Sequence, residues 1–304
     1  MQAFQTIRIR RQIKDNISGY AFLSPTILLL IFIFGYQAIR LFWFSFIKWN
    51  GVIPSTDFNN FSYYISIFKK GYLYAPLLRS LGVAALVIPA VILLTIFIAH
   101  NLYRKIWGYR FYRWIIFLTS IIPMIVASIV WTFLLNNYGP VNTLFRAAHM
   151  DFLVVDWFGN SRFALLALSW VIIWRELGFS TVVFLASLDS ADPSVYEAAI
   201  IDGANEFQLM RFVTTPYLSN IIRMYIVTMT IYVLNNLFGV VLVSTNGGPG
   251  YATTVLEYYI YYMTFRMGKI GIGAAVSVVL FVITFILILI YIRTSSRGSK
   301  EGVF

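Results

Sequence analysis

Cysteine is absent from this 304-residue sequence, and histidine occurs only at His100 and His149. A chain without cysteine forms no disulfide, offers no thiolate nucleophile and holds no cysteine-ligated metal. The two histidines lie too far apart in sequence to suggest a metal-binding pair. We therefore expect one residue at a helix end, one in a loop, and no metal site.

Charged side chains are also scarce. They make up 12% of the residues, against 60% for the hydrophobic types, and the mean hydropathy is +0.78. This composition is typical of integral membrane proteins and not of soluble domains with a buried core. Apolar runs recur along the whole chain without a long polar segment between them. The sequence therefore predicts one all-α transmembrane domain over residues 1–304.

Six segments approach the length that a membrane-spanning helix needs, which is roughly 20 apolar residues for about 30 Å of hydrocarbon. The predicted spans cover about 19–47, 78–101, 113–137, 162–188, 217–243 and 269–293. The run after RIRRQIKDN is too long for a signal-peptide core, so it counts as the first span. The fourth span is interrupted at its centre by Arg175 and Glu176.

The net charge of +11 comes from basic residues that cluster at the ends of spans. In that position they indicate contact with anionic lipid and not with nucleic acid. They precede the first span, fill the loop between the second and third, and follow the sixth: Arg8, Arg10, Arg11, Lys14; Arg104, Lys105, Arg110, Arg113; Arg293, Arg297, Lys300. Because such clusters face the cytoplasm, both termini are predicted to be cytoplasmic.

The loop at 189–216 is cytoplasmic in this topology but has the opposite charge. It holds Arg211 against five acids, a sum of −4: Asp189, Asp192, Glu197, Asp202 and Glu206. Asp192-Pro193 is a helix-start signal, and Gly203 is a suitable stop. Asn205 and Gln208 have capping-box spacing for a second short helix. The loop therefore predicts a helix, a tight turn and another helix at the membrane surface.

Three interpretations of this loop compete. A DNA-reading helix-turn-helix needs positive charge to meet phosphate, and this loop is acidic. An interfacial amphipathic helix usually carries lysine and arginine on its polar face. The remaining interpretation is a docking element for a protein with a basic groove. The small Ala198 and Ala199 would allow close approach, and Glu197 would offer a carboxylate to an arginine.

Two motifs in the chain resemble those of a known family. The string Glu197-Ala198-Ala199, followed by Asp202-Gly203-Ala204 and Pro216, closely resembles the EAA loop of ABC importer permeases. Asn246-Gly247-Gly248-Pro249-Gly250 followed by ATTVLEYYIYYMTF is similar to the segment before the last span in sugar permeases. The whole chain resembles the carbohydrate branch, in the six-span form of the maltose-type permease. Thr215 departs from the leucine that usually precedes the proline.

The resemblance implies a type I ABC importer permease fold with a cytoplasmic coupling helix. That helix would sit in a cleft of an ATPase, with Glu197 meeting a basic group and Ala198 and Ala199 forming the close-packed surface. Gly203 would make the turn, and Asp202 would hold it by accepting local N–H groups.

The partners that the resemblance implies are a second homologous permease, two ATPase copies, an extracellular or periplasmic solute-binding protein and a sugar, in a bacterial cytoplasmic membrane. The sequence contains no G-x-x-x-x-G-K-[ST] motif, and GKIGIG at 268–273 leads into a membrane helix. The chain is therefore predicted to be non-catalytic and without a cofactor, with ATP and Mg²⁺ bound by the ATPase. The glycines of GKIGIG are expected to serve close helix packing.

Polar residues within spans are the candidate substrate contacts. In span five, Thr228, Tyr232, Asn235 and Asn236 recur at helical spacing, which suits either a sugar-binding stripe or hydrogen bonds to a partner permease.

Arg175 and Glu176 are the candidates in span four. They are adjacent and point about 100° apart on a helix, so each is expected to meet another helix or the cavity instead of its neighbour.

Three alternatives stay open at this point. An acidic saccharide or glycerol phosphate could replace a neutral sugar as the substrate. An independent secondary carrier would need inverted repeats and coupling-ion sites within one chain, and no internal repeat is visible. A membrane enzyme would need a catalytic constellation that the sequence does not contain.

Overall fold

The computed structural model describes residues 19–20, 22–49 and 57–301, with side chains described as far as Arg293. In chain order the helices are α1 (Phe22–Phe46), α2 (Ser62–Lys69), α3 (Tyr74–Tyr103), α4 (Tyr109–Ile121), α5 (Met124–Leu134), α6 (Pro140–Ala147), α7 (Ala164–Leu188), α8 (Pro193–Ile201), α9 (Glu206–Tyr217), α10 (Ser219–Asn235), α11 (Phe238–Ser244), α12 (Leu256–Tyr261) and α13 (Ile270–Glu301). A single π-helical turn, Tyr262–Arg266, extends α12. The predicted basic group Arg8, Arg10, Arg11 and Lys14 lies outside the described residues, as do the side chains of Arg297 and Lys300.

Four helices of the described chain are long and apolar enough to cross a membrane, and two bent pairs raise the number to as many as six. The four are α1, α3, α7 and the Ile270–Arg293 part of α13. They overlap the first, second, fourth and sixth predicted spans. The prediction of a helical membrane protein is therefore confirmed, while the third and fifth spans differ from the prediction.

The third predicted span is broken at Ile122-Pro123. The helices α4 and α5 meet there at 105°. Proline disfavours the helical conformation of the residue before it, and Ile122 is extended, with φ −72° and ψ 124°. Pro123 then caps α5. A hydropathy window does not register this break because both halves are apolar.

The fifth predicted span, 217–243, is also discontinuous. Pro216 lies in the last turn of α9, and α10 begins at Ser219 after a bend of 69°. The helix α10 ends at Asn235, and Asn236 leaves helical geometry with φ −136° and ψ 17°. The predicted segment is thus not one continuous helix, and its C-terminal part is the separate helix α11.

The core is built around α7, which packs along α3 and also contacts α4 and α5. Apolar side chains of α3, α7 and α10 form its centre: Val87, Val91, Leu168, Ile172, Phe184, Met229 and Val233. The approach of α4 is close because Gly178 of α7 faces its backbone. In contrast, α1 exposes most of its large apolar side chains and packs against α13, where the Phe42 and Phe281 rings meet edge to face.

Two of the three glycines of GKIGIG, Gly271 and Gly273, serve close packing as predicted, whereas Gly268 has φ +63° and open space where a β-carbon would stand. A β-carbon at Gly271 would collide with the Tyr63 ring of α2, and one at Gly273 would collide with Thr264. The first turn of α13 therefore packs closely against α2 and the segment after α12.

Candidate functional site

The loop at 189–216, called the coupling loop below after its predicted role, begins as the sequence predicts. Asp192 caps α8, with its Oδ1 accepting a hydrogen bond of 2.9 Å from the Ser194 amide. That backbone hydrogen bond lowers the pKa of the Asp192 carboxyl, because it favours the charged form. Asn205 and Gln208 form the predicted capping box at 2.8 and 2.9 Å. Both short helices thus satisfy their N-terminal amides locally.

The turn between α8 and α9 is closed by backbone hydrogen bonds. The Gly203 amide donates to Ile200 and the Ala204 amide to Ala199, both at 3.0 Å, in the pattern of a Schellman motif. Gly203 has φ +83°, as predicted, and open space where a β-carbon would stand. Within the described chain the Asp202 side chain accepts none of these amides, so its predicted part in holding the turn is not observed.

The two faces of α8 differ sharply. Tyr196 is buried against the membrane-facing side, and Ala199 packs partly against it. Glu197 and Ala198 are exposed, as is Ile201, with 85% of its surface accessible. Glu197 and Ile201 are one helical turn apart and share a face. We call the exposed set Glu197, Ala198, Ile201 and Phe207 the coupling surface.

Sequence reasoning missed two members of the coupling surface. Ile201 and Phe207, the latter 61% exposed, are large apolar side chains on a loop otherwise rich in charge. Large apolar side chains left exposed on a polar segment are compatible with a protein-docking surface. Their position in an acidic stretch was the available signal. The docking roles predicted for Glu197, Ala198, Ala199, Asp202 and Gly203 stay predictions.

The charged pair of span four is a correction to the sequence analysis. Nη1 of Arg175 donates a short hydrogen bond to Oε1 of Glu176, so the two adjacent residues do pair with each other. The Glu176 side chain is buried and that of Arg175 is about one-quarter exposed, at 27%. A long arginine side chain can bend back across the angle that separates neighbours on a helix. Tyr225 and Tyr232 of α10 lie near the same pair.

The four predicted substrate contacts of span five differ in exposure. Thr228 and Asn236 are exposed, whereas Tyr232 and Asn235 are partly buried. The Asn235 amide donates to Thr284 of α13 at 3.2 Å and to its own helix at 2.9 Å. Asn235 therefore serves an interhelical contact, and the exposed Asn236 at the helix break is the freer of the two asparagines. The substrate roles of these residues stay predictions.

Glu257 was not identified from the sequence, yet it stabilises the break in span five. Its Oε2 accepts a hydrogen bond of 2.8 Å from the Phe238 amide at the start of α11. Backbone polar groups at membrane depth need such a partner when a helix is interrupted. The only sequence signal was one acid within the aromatic run ATTVLEYYIYYMTF.

A cavity of about 460 Å³ opens beside Glu257, between α10, α12 and α13. Its lining combines aromatic rings with a few polar groups: Asn235, Phe238, Glu257, Ile260, Tyr261, Phe265, Ser277, Leu280, Phe281 and Thr284. Rings with convergent hydroxyl, amide and carboxylate groups are compatible with a small polar molecule.

The glycine-proline loop before α12 is folded back on itself. The Tyr258 hydroxyl donates to the Asn246 carbonyl at 2.8 Å, and Thr254 donates to the Gly247 carbonyl at 3.0 Å. Gly247 has φ +82°, and a β-carbon there would collide with the Tyr258 ring. The motif that resembles sugar permeases thus forms a compact loop held by its own side chains.

Comparison with known proteins agrees with this geometry. The chain is 29% identical over 282 residues to a probable ABC transporter permease of Pyrococcus horikoshii, covering 92% of this chain and 96% of that protein. It is 27% identical to the diacetylchitobiose uptake permease of Streptomyces coelicolor, with 97% and 87% covered. It is also 27% identical to a multiple sugar-binding transport permease of Streptococcus mutans, with 94% and 98% covered.

The fold is that of an importer permease of known structure. A chain from the crystal structure of a bacterial ABC transporter that imports the acidic polysaccharide alginate superimposes with a TM-score of 0.78. The sequences are 22% identical, with 95% of this chain and 99% of that chain covered. The model of the family described as binding-protein-dependent transport system inner membrane component matches residues 91–297. This match extends over more than half of the chain, which therefore belongs to that permease family.

Proposed function

We propose that the chain is one permease subunit of an ATP-driven, binding-protein-dependent carbohydrate importer in a bacterial cytoplasmic membrane. The observation that carries the proposal is the coupling loop. Its inner face packs against the transmembrane helices, and its outer face exposes Glu197 beside the apolar Ile201. Such a helix can transmit a movement of a cytoplasmic partner to the transmembrane helices. The relatives named for diacetylchitobiose and multiple sugars support carbohydrate as the cargo.

The proposed topology has six spans with both termini in the cytoplasm. Arg104, just after α3, lies 3.2 Å from Glu206 of the coupling loop, so the two loops share one side of the membrane. Two crossings must separate them, which fits if the bent pair α4–α5 is one span and α7 the next. Since Lys105, Arg110 and Arg113 follow Arg104, the positive-inside rule favours the cytoplasm for this side.

The proposed assembly contains a second, homologous permease, two copies of a cytoplasmic ATPase and an external solute-binding protein. The ATPase would bind ATP and Mg²⁺ and hydrolyse the nucleotide, while this chain supplies half of the pathway. Thr228, Tyr232 and Asn236 of span five are the side chains proposed to meet the sugar, since they lie at or near the exposed side of α10.

The charge of the pathway supports an uncharged saccharide over an acidic one. The Arg175 guanidinium was the candidate partner for an anionic substrate, but Glu176 already neutralises it. An acidic saccharide or glycerol phosphate would have to break that pair in a setting where an unpaired carboxylate is costly. A neutral sugar needs no such exchange.

The test of this function replaces Glu197 with lysine in the importer reconstituted in lipid vesicles. We expect Glu197→Lys to leave membrane insertion intact while abolishing ATPase docking and sugar uptake, because a cation would face the basic cleft. Asp189→Lys is the matched control. It makes the same charge change in an exposed residue of the same loop, at the end of α7 and off the coupling surface. Uptake at the wild-type rate by the Glu197 variant would refute the coupling role.

A further inference from the structure

The inner face of the coupling loop is attached to the end of α3 by a small buried cluster. Ala191, Tyr196 and Leu209 form its centre. The Tyr196 ring lies 5.0 Å from the ring of Tyr103, the last residue of α3. The loop is thus joined to a helix that runs through the core. An apolar contact alone is not directional and would not fix the orientation of the loop.

His100 adds directional bonds to this contact. It lies one turn before the end of α3, with only 3% of its surface exposed, and both ring nitrogens are engaged. Nδ1 is 2.8 Å from Oγ1 of Thr214, and Nε2 is 3.3 Å from Oε2 of Glu206. Thr214 and Glu206 lie at opposite ends of α9, so one side chain of α3 holds α9 at two points.

The hydrogen bonds form a chain with consistent donors. A carboxylate only accepts, so Nε2 of His100 carries a proton and donates it to Glu206. In the neutral ring Nδ1 then accepts from the Thr214 hydroxyl, whose oxygen accepts from the Tyr196 hydroxyl at 2.9 Å. The chain therefore joins α3, α8 and α9 through a single imidazole.

Arg104 makes a second contact with the same carboxylate, through its other oxygen. Its Nη2 is 3.2 Å from Oε1 of Glu206, whose side chain is 67% exposed. Exposed ion pairs contribute little in water. The buried His100–Thr214–Tyr196 chain is therefore the rigid part of the attachment, since breaking it would strand buried hydroxyl groups.

We propose that His100 is a positioning residue for energy coupling: it clamps the coupling loop to span two so that displacement of α8 moves α3 as one body. The inference rests on the proposed function and adds a residue outside the EAA loop. His100 touches neither nucleotide nor sugar, and it acts through Thr214, Glu206 and Tyr196. Without the clamp, closure of the ATPases would move the loop while the core lags behind.

The first measurement follows transport in the complete importer reconstituted in vesicles, with diacetylchitobiose as the uptake probe. For His100→Leu we expect the ATP hydrolysed per sugar imported to rise about fivefold or more, the range of a typical coupling between sites. His100→Gln, whose amide can bond both Thr214 and Glu206, should recover much of the coupling. The matched control is His149→Leu, since His149 is exposed in the loop after α6. An unchanged ratio in His100→Leu would overturn the proposal.

The second measurement needs no sugar. Because the chain has no cysteine, spin labels can be placed at two exposed positions with Lys105→Cys and Ser194→Cys. We expect the distance between them to stay narrow and constant when ATP closes the wild-type complex, and to broaden or shift in His100→Leu. Equal distributions in both would refute the clamp even if His100→Leu assembles poorly in the transport assay. Failure of the function itself would be distinct, because the wild-type complex would then import nothing.

Discussion

Gly178 of α7 offers the sharpest test of how the helices around the pathway are packed. A β-carbon at this position would stand 2.7 Å from the Ile116 carbonyl oxygen and 2.8 Å from the Ser120 amide nitrogen, both of α4. These are backbone atoms that cannot rotate away, so Gly178→Ala must push α4 and α7 apart. Overpacking of this kind costs about 1–3 kcal/mol, and the rigid neighbours favour the upper end.

The gain in helix propensity partly offsets that cost. Alanine is better than glycine in a helix interior by about 1 kcal/mol, so we expect a net loss of about 2 kcal/mol in the free energy of unfolding. Gly82 of α3 provides the matched control, because a β-carbon there would meet only Leu165 Cδ2 at 3.7 Å, an ordinary contact. Gly82→Ala should therefore be neutral or slightly stabilising.

Thermal unfolding of the detergent-solubilised complex, followed by tryptophan fluorescence, measures both variants. We expect a Tm several degrees lower for Gly178→Ala and an unchanged or higher Tm for Gly82→Ala. Sugar uptake should fall only in Gly178→Ala, because α4 packs directly against α7, the helix that carries the Arg175–Glu176 pair. Equal stability of the two variants would refute the inference that backbone contact sets the spacing of spans three and four.

Two further substitutions test local features of the fold. Gly203→Ala should weaken the turn of the coupling loop by about 1–2 kcal/mol, because φ is +83° and not because of crowding. Asparagine tolerates this conformation, so Gly203→Asn should keep more sugar uptake than Gly203→Ala and more amide-exchange protection at the end of α8. Equal protection in the two variants would contradict the reasoning. Glu257→Ala should lower the free energy of unfolding by about 1–3 kcal/mol, because the Phe238 amide loses its acceptor, whereas Glu257→Gln keeps an acceptor. Thermal unfolding compares the two variants. Equal losses of stability would show that the charge of Glu257 matters and not its hydrogen bond.

Features that depend on neighbours in sequence were predictable here. The Asp192 cap, the Asn205–Gln208 box and the positive φ of Gly203 each follow from a few adjacent residues, and all are present. Features that depend on distant partners were not. The role of Glu257 requires the Phe238 amide 19 residues away, and the role of His100 requires Glu206 and Thr214, more than 100 residues further along.

Two other differences between the sequence-based predictions and the structure did not arise from distant partners. The pairing of Arg175 with Glu176 was rejected on helix geometry, which fixes the direction of the β-carbon but not the end of a long guanidinium side chain. The bend at Ile122-Pro123 was encoded by the proline itself, but a test of hydrophobic length alone does not weigh backbone conformation.

The interruption of span five at Asn236 has a consequence for motion. The N-terminal half, α10, packs mainly against α3 and α13, while the C-terminal half, α11, packs mainly against α5 and α12. Because the Phe238 amide already bonds Glu257 and not the preceding helical turn, changing the angle between the halves breaks no further helical hydrogen bond there. Span five thus consists of two helices joined at Asn236, and the first amide of the second helix is bonded by α12 and not by the preceding helix.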